Sequence, residues 1–227
     1  MASAKELADM ADKLRIHSIR STTSAGSGHP TSCMSAAEIM STLFFSEMDK
    51  ADEFIMSKGH AAPILWACFA EAGLIPQDEL MNLRKIDSIL EGHPTPKMPL
   101  VRVATGSLGQ GLGAGVGMAL AQRLKKNNGR TFVLMGDGES AEGSVWEAAN
   151  SGAYYKLNNL CAIVDVNKMG QSQATMHGHD TQAYVKKFEA FGWEAMAVDG
   201  HSVEELLQAF EKVSQSQRQF AIIAKTL

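Results

Sequence analysis

Short apolar runs that alternate with helix-like segments constrain the fold of this chain more than any other feature. Three of these runs are almost free of polar residues: Thr131-Phe-Val-Leu-Met135, Leu160-Cys-Ala-Ile-Val164 and Phe220-Ala-Ile-Ile-Ala224. The first two are followed by polar or glycine-rich loops, and the third ends close to Leu227. Strands have this pattern when helices cover both faces of their sheet. The alternation therefore predicts an α/β fold, a parallel β-sheet flanked by helices on both faces.

Shorter patterns predict the remaining elements. Further strands are expected at 53–56 and 195–198, and helices at 4–23, 35–45, 63–73, 143–156 and 203–213. Ser35 and Glu38 are spaced as a capping box at the start of the second helix. The stretch 103–122 has no charged residue but contains six glycines, which favours a buried helix behind a glycine-rich loop over a membrane span.

Composition excludes several classes of protein. Hydrophobic residues make up 45% of the 227 residues, so the chain is too apolar to be disordered. The 21 Lys+Arg and 25 Asp+Glu give a net charge of −4, and no basic stripe predicts nucleic-acid binding. Three dispersed cysteines and a charged N-terminus without a signal-peptide core favour a cytoplasmic protein. No change in composition marks a second domain, so residues 1–227 are expected to form one domain.

A glycine-rich turn directly after one buried run is the first candidate ligand site. Gly136-Asp-Gly-Glu139 lies between a predicted strand and a predicted helix. Glycine lets the backbone approach a ligand closely, and free N–H groups at a helix N-terminus bind phosphate. Asp137 provides the hard oxygen donor that a divalent cation prefers. Taken alone, the same residues also suit an ordinary tight turn.

The loop after the next buried run favours the ligand site over the plain turn. Asn167 follows that run, thirty residues beyond Asp137. Because ligands of parallel sheets bind at the carboxyl ends of the strands, these loops are expected to meet. Asp137, Asn167 and the Met169 carbonyl are predicted as oxygen ligands of Mg²⁺, for which Ca²⁺ or Mn²⁺ could substitute. Diphosphate oxygens would complete the coordination. This pairing of motifs resembles the signature of thiamine diphosphate-binding proteins.

In these and other motifs the chain resembles the N-terminal, diphosphate-binding domain of transketolase. The matching stretches keep the family's order along nearly the whole sequence: Ser27-Gly-His-Pro-Thr-Ser32, Ser57-Lys-Gly-His-Ala-Ala-Pro63, Glu91-Gly-His-Pro94, Ala104-Thr-Gly-Ser-Leu-Gly-Gln-Gly111, Gly136-Asp-Gly-Glu139, Glu142-Gly-Ser-Val-Trp-Glu147, Val164-Asp-Val-Asn167 and Gly170-Gln-Ser172. The resemblance implies the thiamine diphosphate-binding fold and transfer of a two-carbon ketol unit between sugar phosphates in the pentose phosphate pathway. It also implies a homodimer or a heterotetramer.

The resemblance implies a role for each matching residue. The cofactor would be bound by Ser32, His60, Gly106, Ser107, Leu108, Gly138, Asn167 and Glu147. The catalytic set would be His29, His60, His93 and Glu142, with His29 and His93 facing the ketose. Glu142 and Glu147 would lie at a subunit interface, in an acidic network that links two active sites.

The histidines also have a simpler interpretation, because a single loop histidine is usually structural. His29, His60 and His93 each follow a glycine, and this shared context favours a functional role. His17 falls within the first predicted helix and is interpreted as structural. His177, His179 and His201 match no motif and are interpreted as surface or loop residues. Lys58 is expected either to offset diphosphate charge or to be solvated.

The family's sequence continues beyond the equivalent of Leu227, through a further histidine into a pyrimidine-binding domain and a C-terminal domain. We therefore expect activity only with a complementary pyrimidine-domain chain or the missing C-terminal part. Two alternatives remain. One is a non-catalytic module that binds thiamine diphosphate with Mg²⁺ or a partner chain, and the other is a relative of deoxyxylulose phosphate synthase.

Overall fold

A five-stranded parallel sheet forms the centre of the chain in a computed structural model that describes residues 2–227. The strands are β1 (Glu53–Met56), β2 (Thr131–Gly136), β3 (Leu160–Val166), β4 (Glu194–Asp199) and β5 (Phe220–Lys225). They lie in the order β1-β2-β3-β5-β4, and all neighbouring pairs are parallel. The predicted parallel α/β fold is confirmed.

Helices cover both faces of this sheet. They are α1 (Ala4–Ala25), α2 (Pro30–Ser35), α3 (Ala37–Thr42), α4 (Ala62–Glu71), α5 (Gln110–Leu124), α6 (Gly143–Tyr154), α7 (Thr181–Ala190) and α8 (Val203–Gln215). One core contains Phe132 and Leu134 with side chains of α1, α3, α4 and α8. The other contains Val133 and Met135 with side chains of α5, α6 and α7. Successive residues of β2 therefore enter opposite cores, which is why the run is apolar at every position.

Glycines allow α5 to pack closely on the sheet. A Cβ atom on Gly111 would lie 2.2 Å from the Ser57 hydroxyl oxygen, and one on Gly115 would lie 2.6 Å from a methyl of Val133. Larger residues at these positions would push the helix away from β1 and β2. This confirms the predicted buried helix behind a glycine-rich loop. Within residues 2–227, no helix is long and apolar enough to cross a membrane.

The predicted helix at 35–45 is wrong in its details. The segment forms two short helices and a π-helical turn at Leu43–Glu47, and Ser35 is the last residue of α2 rather than a cap. The Ser35 hydroxyl instead donates to Asp165 at 2.7 Å. The Glu38 carboxylate accepts from Arg15 at 2.6 Å and lies 2.9 Å from His201. Tertiary partners thus replace the local capping contacts.

Helix α7 was not predicted, and neither was α2, which precedes the predicted helix at 35–45. Helix α7 begins after Asp180, whose carboxylate accepts a hydrogen bond from the Ala183 amide at 3.2 Å. Its buried side chains, Tyr184, Val185 and Phe188, have helical spacing but number only three, between polar residues on either side.

The three cysteines lie in the core with free thiols. Cys33 is in α2, Cys68 in α4 and Cys161 in β3. Burial raises the pKa of Cys33 to about 11, and it also raises the pKa values of Cys68 and Cys161. Because the thiolate is the reactive form, these thiols are unreactive in the folded protein.

Candidate active site

The loops after β2 and β3 meet at the carboxyl end of the sheet. The register pairs Gly136 with Asp165, so the residues that follow each strand are neighbours. One oxygen of the buried Asp137 carboxylate accepts from the Lys168 amide at 2.9 Å and from the Thr175 hydroxyl at 2.8 Å. These contacts bring the predicted ligand loops together.

Asn167 and Met169 form a tight turn beside Asp137. The Asn167 side-chain oxygen accepts from the Met169 amide at 3.0 Å, and Lys168 between them has a left-handed φ of 59°. Beyond this turn, Met169 and Ala174 form an isolated antiparallel bridge. The hydrogen bonds that close the bridge use the backbone of the flanking residues, so the Met169 carbonyl takes no part in them.

The chemistry of these groups fits a hard divalent cation. The set contains one carboxylate, one amide oxygen and one backbone carbonyl, all of them oxygen donors. Burial raises the pKa of Asp137, so its negative charge is incompletely compensated by the surrounding protein. A bound divalent cation would supply that compensation.

A cavity of about 460 Å³ opens beside Asp137 and Gly138. The loop 170–177, Tyr184 and Lys187 line its other walls. The His177 ring nitrogen lies 2.8 Å from the Lys187 ammonium nitrogen. His177 is therefore part of this wall, although its sequence context indicated only a loop residue.

The three motif histidines gather at the same end of the sheet. His29 precedes α2 and His60 follows β1, and their ring centroids lie 5.4 Å apart. His93 packs on Gly106, where an added Cβ would lie 3.0 Å from the His93 ring, and Gly106 has a φ of 142°. Both the close approach of the His93 ring and the positive φ explain why residue 106 is a glycine.

Burial and neighbouring charge keep His60 neutral. They lower the pKa of His60 to about 4, through desolvation first and then through the positive charge of Lys58. The pKa of His93 is lowered in the same way, by desolvation and then by Arg84. At neutral pH the His60 imidazole therefore has one N–H donor and one acceptor.

The loop that precedes α5 crosses the end of β1. The Thr105 hydroxyl donates to the Met56 carbonyl at 2.7 Å, and a Cβ on Gly59 would lie 2.9 Å from the Gly106 amide nitrogen. Gly106 therefore lies against the segment that carries His60. Ser107 and Leu108 follow it and are exposed. This places the predicted cofactor-lining loop beside the histidines.

Sequence reasoning missed the role of Glu139. Its buried carboxylate accepts from the Gly109 amide at 2.8 Å, from the Gly136 amide at 3.1 Å and from the Ser57 hydroxyl. Burial raises the pKa of Glu139. Glu139 thus joins the loop before α5, the end of β1 and the glycine-rich turn. Its position as the last residue of that turn was the only available signal.

Lys58 is buried rather than solvated. Its side chain is only 1% exposed and forms an ion pair with the fully buried Asp165. It also donates to the Ser32 carbonyl at 3.0 Å. The prediction of a solvated Lys58 is therefore wrong.

Glu142 and Glu147 lie apart from these contacts. Glu142 precedes α6 and Glu147 lies within it, and both are exposed. Neither carboxylate forms a hydrogen bond or an ion pair with any residue in the range 2–227. Ser32, in α2, is partly exposed, and its carbonyl accepts a hydrogen bond from Lys58.

Two of the remaining histidines, His17 and His201, have side-chain partners, whereas the buried Nε2 atom of His179 has no hydrogen-bond partner within residues 2–227. His17 lies in α1, as predicted, and its ring is 2.7 Å from the Glu71 carboxylate. The His201 ring nitrogen lies 2.9 Å from the Glu38 carboxylate. His201 therefore contacts another part of the fold, which its sequence context did not indicate.

The fold and these residues define an α/β domain whose candidate ligand site lies at the carboxyl ends of parallel strands. Residues 7–227 match the family described as transketolase, thiamine diphosphate binding domain. The chain belongs to this family.

Individual relatives agree with the family match. Rat transketolase is 56% identical over 97% of this chain, and human transketolase-like protein 2 is 53% identical over the same share. The chain spans 37% of the length of each. The crystal structure of transketolase from Campylobacter jejuni superimposes with a TM-score of 0.91 at 30% identity, covering 100% of this chain and 38% of that one.

Proposed function

We propose that this chain is the diphosphate-binding part of a transketolase, which transfers a two-carbon ketol unit from a ketose phosphate such as xylulose 5-phosphate to an aldose phosphate such as ribose 5-phosphate. The observation that carries the proposal is the meeting of two groups at one end of the sheet. Asp137 and Asn167 offer oxygen donors on adjoining loops, and His29, His60 and His93 lie beside the loop at Gly106.

The first group would bind the cofactor. Asp137, the Asn167 oxygen and the Met169 carbonyl would hold Mg²⁺, and Gly138 with Asn167 would contact the diphosphate. The backbone of 106–108, with Ser32 and His60, would line the rest of the cofactor. When bound, thiamine diphosphate supplies the chemistry that breaks a carbon–carbon bond next to a carbonyl.

The second group would handle the sugar. A neutral imidazole at His60 can donate one hydrogen bond and accept another, so it can orient hydroxyl or phosphate groups without adding charge. His29 is exposed and His93 partly exposed, which leaves both accessible to a ketose. Their role would be to hold the hydroxyls and to move protons on and off them.

The remaining features of the proposal concern assembly and setting. Residues 1–227 would act as one diphosphate-binding domain together with a pyrimidine-binding domain and a C-terminal domain. The exposed carboxylates of Glu142 and Glu147 would meet a second subunit in a homodimer or heterotetramer. Three buried free thiols are compatible with a reducing cytoplasm, and the proposed substrates belong to the pentose phosphate pathway.

Reconstitution tests the proposal. The chain is mixed with a complementary pyrimidine-domain chain, thiamine diphosphate and Mg²⁺, and two-carbon transfer from xylulose 5-phosphate to ribose 5-phosphate is followed. Turnover supports the proposal. Tight Mg²⁺-dependent cofactor binding without turnover would instead favour a non-catalytic binding module, and release of CO₂ from pyruvate would favour a relative of deoxyxylulose phosphate synthase.

A further inference from the structure

A buried charged network beneath the proposed cation site has no part in the function described so far. Its centre is Asp165, which is 0% exposed. One carboxylate oxygen accepts from the Ser35 hydroxyl at 2.7 Å and from the Lys58 ammonium group. The other oxygen accepts from the Thr226 hydroxyl. The network therefore joins the ends of β3 and β5 to α2 and to the segment after β1.

Stability alone is a weak explanation for such a network. Removing two charges from water is unfavourable, and a buried ion pair is often no more stabilising than well-packed apolar residues of similar volume. The surrounding cores show that this chain fills comparable positions with Val and Ile, as at Val164 and Ile223. The position of the network therefore needs another reason.

The directions of its hydrogen bonds, from donor to acceptor, provide that reason. The Ser35 hydroxyl has one hydrogen to donate, and the Asp165 carboxylate at 2.7 Å is a nearer acceptor than the Ser32 carbonyl at 3.3 Å, so the hydroxyl donates to Asp165. The lone pairs of Ser35 then face the Asn167 side chain, which lies 3.3 Å away. Only the NH₂ group of that amide can donate to them, so the amide oxygen must point the other way, towards the turn at Met169.

Lys58 completes the arrangement. Its ammonium group forms an ion pair with the Asp165 carboxylate and also donates to the Ser32 carbonyl at 3.0 Å, which holds Asp165 and α2 together. The negative charge of Asp137, on the neighbouring loop, would be balanced by the bound cation.

We propose that Asp165, acting through Ser35 and balanced by Lys58, is a positioning residue that turns the Asn167 amide oxygen towards Mg²⁺ of bound thiamine diphosphate. This inference rests on the proposed function, because it assigns the network a role in the same cation site. Partners of metal ligands commonly act in this way, and removing one typically weakens metal binding 10- to 100-fold.

Two substitutions around the same carboxylate separate positioning from packing. Ser35→Ala removes the hydroxyl that orders Asn167, whereas Thr226→Val removes a hydroxyl from the opposite oxygen of Asp165. Mg²⁺ is titrated calorimetrically into the full chain with saturating thiamine diphosphate. We expect Ser35→Ala to weaken Mg²⁺ binding about 10- to 100-fold and Thr226→Val to change it less than about threefold. Ser35→Thr, which keeps a hydroxyl, should restore most of the affinity. Equal weakening by Ser35→Ala and Thr226→Val, or none by Ser35→Ala, would overturn the inference.

A second readout does not depend on the cofactor. The side-chain NH₂ signal of Asn167 is assigned in an NMR spectrum of the isotope-labelled chain by its loss in Asn167→Asp. Its exchange with solvent should accelerate at least about tenfold in Ser35→Ala and stay unchanged in Thr226→Val, because only the former loses its acceptor. If the unmodified chain bound no thiamine diphosphate even with a complementary pyrimidine-domain chain present, the proposed function would fail. This exchange measurement would still decide the network's role, and an unchanged rate in Ser35→Ala would refute it.

Discussion

Replacing His60 tests the electrostatics of the histidine cluster through the stability of the fold. Burial and Lys58 lower the pKa of His60 from 6.5 to about 4 in the folded chain. In the unfolded chain the imidazole regains its ordinary value. Between these two values the unfolded state binds more protons than the folded state. The free energy of unfolding therefore rises with pH across this window.

The two pKa values set the size of the effect. One pKa unit corresponds to about 1.4 kcal/mol, which gives an upper limit of about 3 kcal/mol for His60. Because the ring is partly exposed, solvent screening reduces this to about 1–2 kcal/mol. The contribution is fully present above the ordinary pKa of 6.5 and is lost as the pH falls through the folded value of about 4.

The comparison is between the unmodified chain and His60→Gln. Urea unfolding is followed by circular dichroism from about pH 4.5 to about pH 7, the window in which the two states differ in bound protons. The unmodified chain should lose about 1–2 kcal/mol more than His60→Gln on acidification. His17→Gln is the control, because its ring lies against Glu71 at 2.7 Å, outside the cluster. Parallel pH curves for the chain and for His60→Gln would refute the assignment of a buried, neutral imidazole.

Three further substitutions test other parts of the site. Asp137→Ala should abolish Mg²⁺-dependent binding of thiamine diphosphate, because it removes the carboxylate of the proposed donor set; unchanged calorimetric affinity would reject that assignment. His93→Ala should spare cofactor affinity but slow sugar turnover by about 10²- to 10⁴-fold in the reconstituted enzyme, and equal loss of both would mark His93 as structural. Glu139→Gln should lower the urea unfolding free energy by about 1–3 kcal/mol, since an NH₂ group would then face backbone amides; a variant as stable as the parent chain would contradict the described clamp.

The part of the site that depends on neighbouring strands was predictable from the sequence. Asp137 and Asn167 follow consecutive buried runs, and consecutive parallel strands often pair, so their loops were expected to meet. The Gly-His motifs indicated three histidines of one kind, but only the structure brings His29 and His60 to a ring separation of 5.4 Å. Periodicity within a strand predicts which faces are buried, and it carries no information on which loops approach one another.

The buried polar contacts were not predictable, because each depends on strand order. Thr226 reaches Asp165 only since β5 inserts between β3 and β4. Lys58 reaches the same carboxylate across 107 residues of sequence. Ser35 is a second example. Its spacing to Glu38 suits a capping box, but its hydroxyl donates to the distant Asp165 carboxylate instead. A local pattern cannot reveal a distant competitor for the same side chain.

The three buried thiols can be used to measure local opening of the fold. Because each thiol is buried and has a raised pKa, an alkylating reagent reacts only when the surrounding segment opens. Cys33 lies in α2, which directly follows His29 in the chain, Cys68 lies in α4, and Cys161 lies in the central strand β3. Mass spectrometry of alkylated peptides would therefore give three separate opening rates from one unmodified sample. Such rates would report how strongly a bound cofactor holds each part of the fold closed.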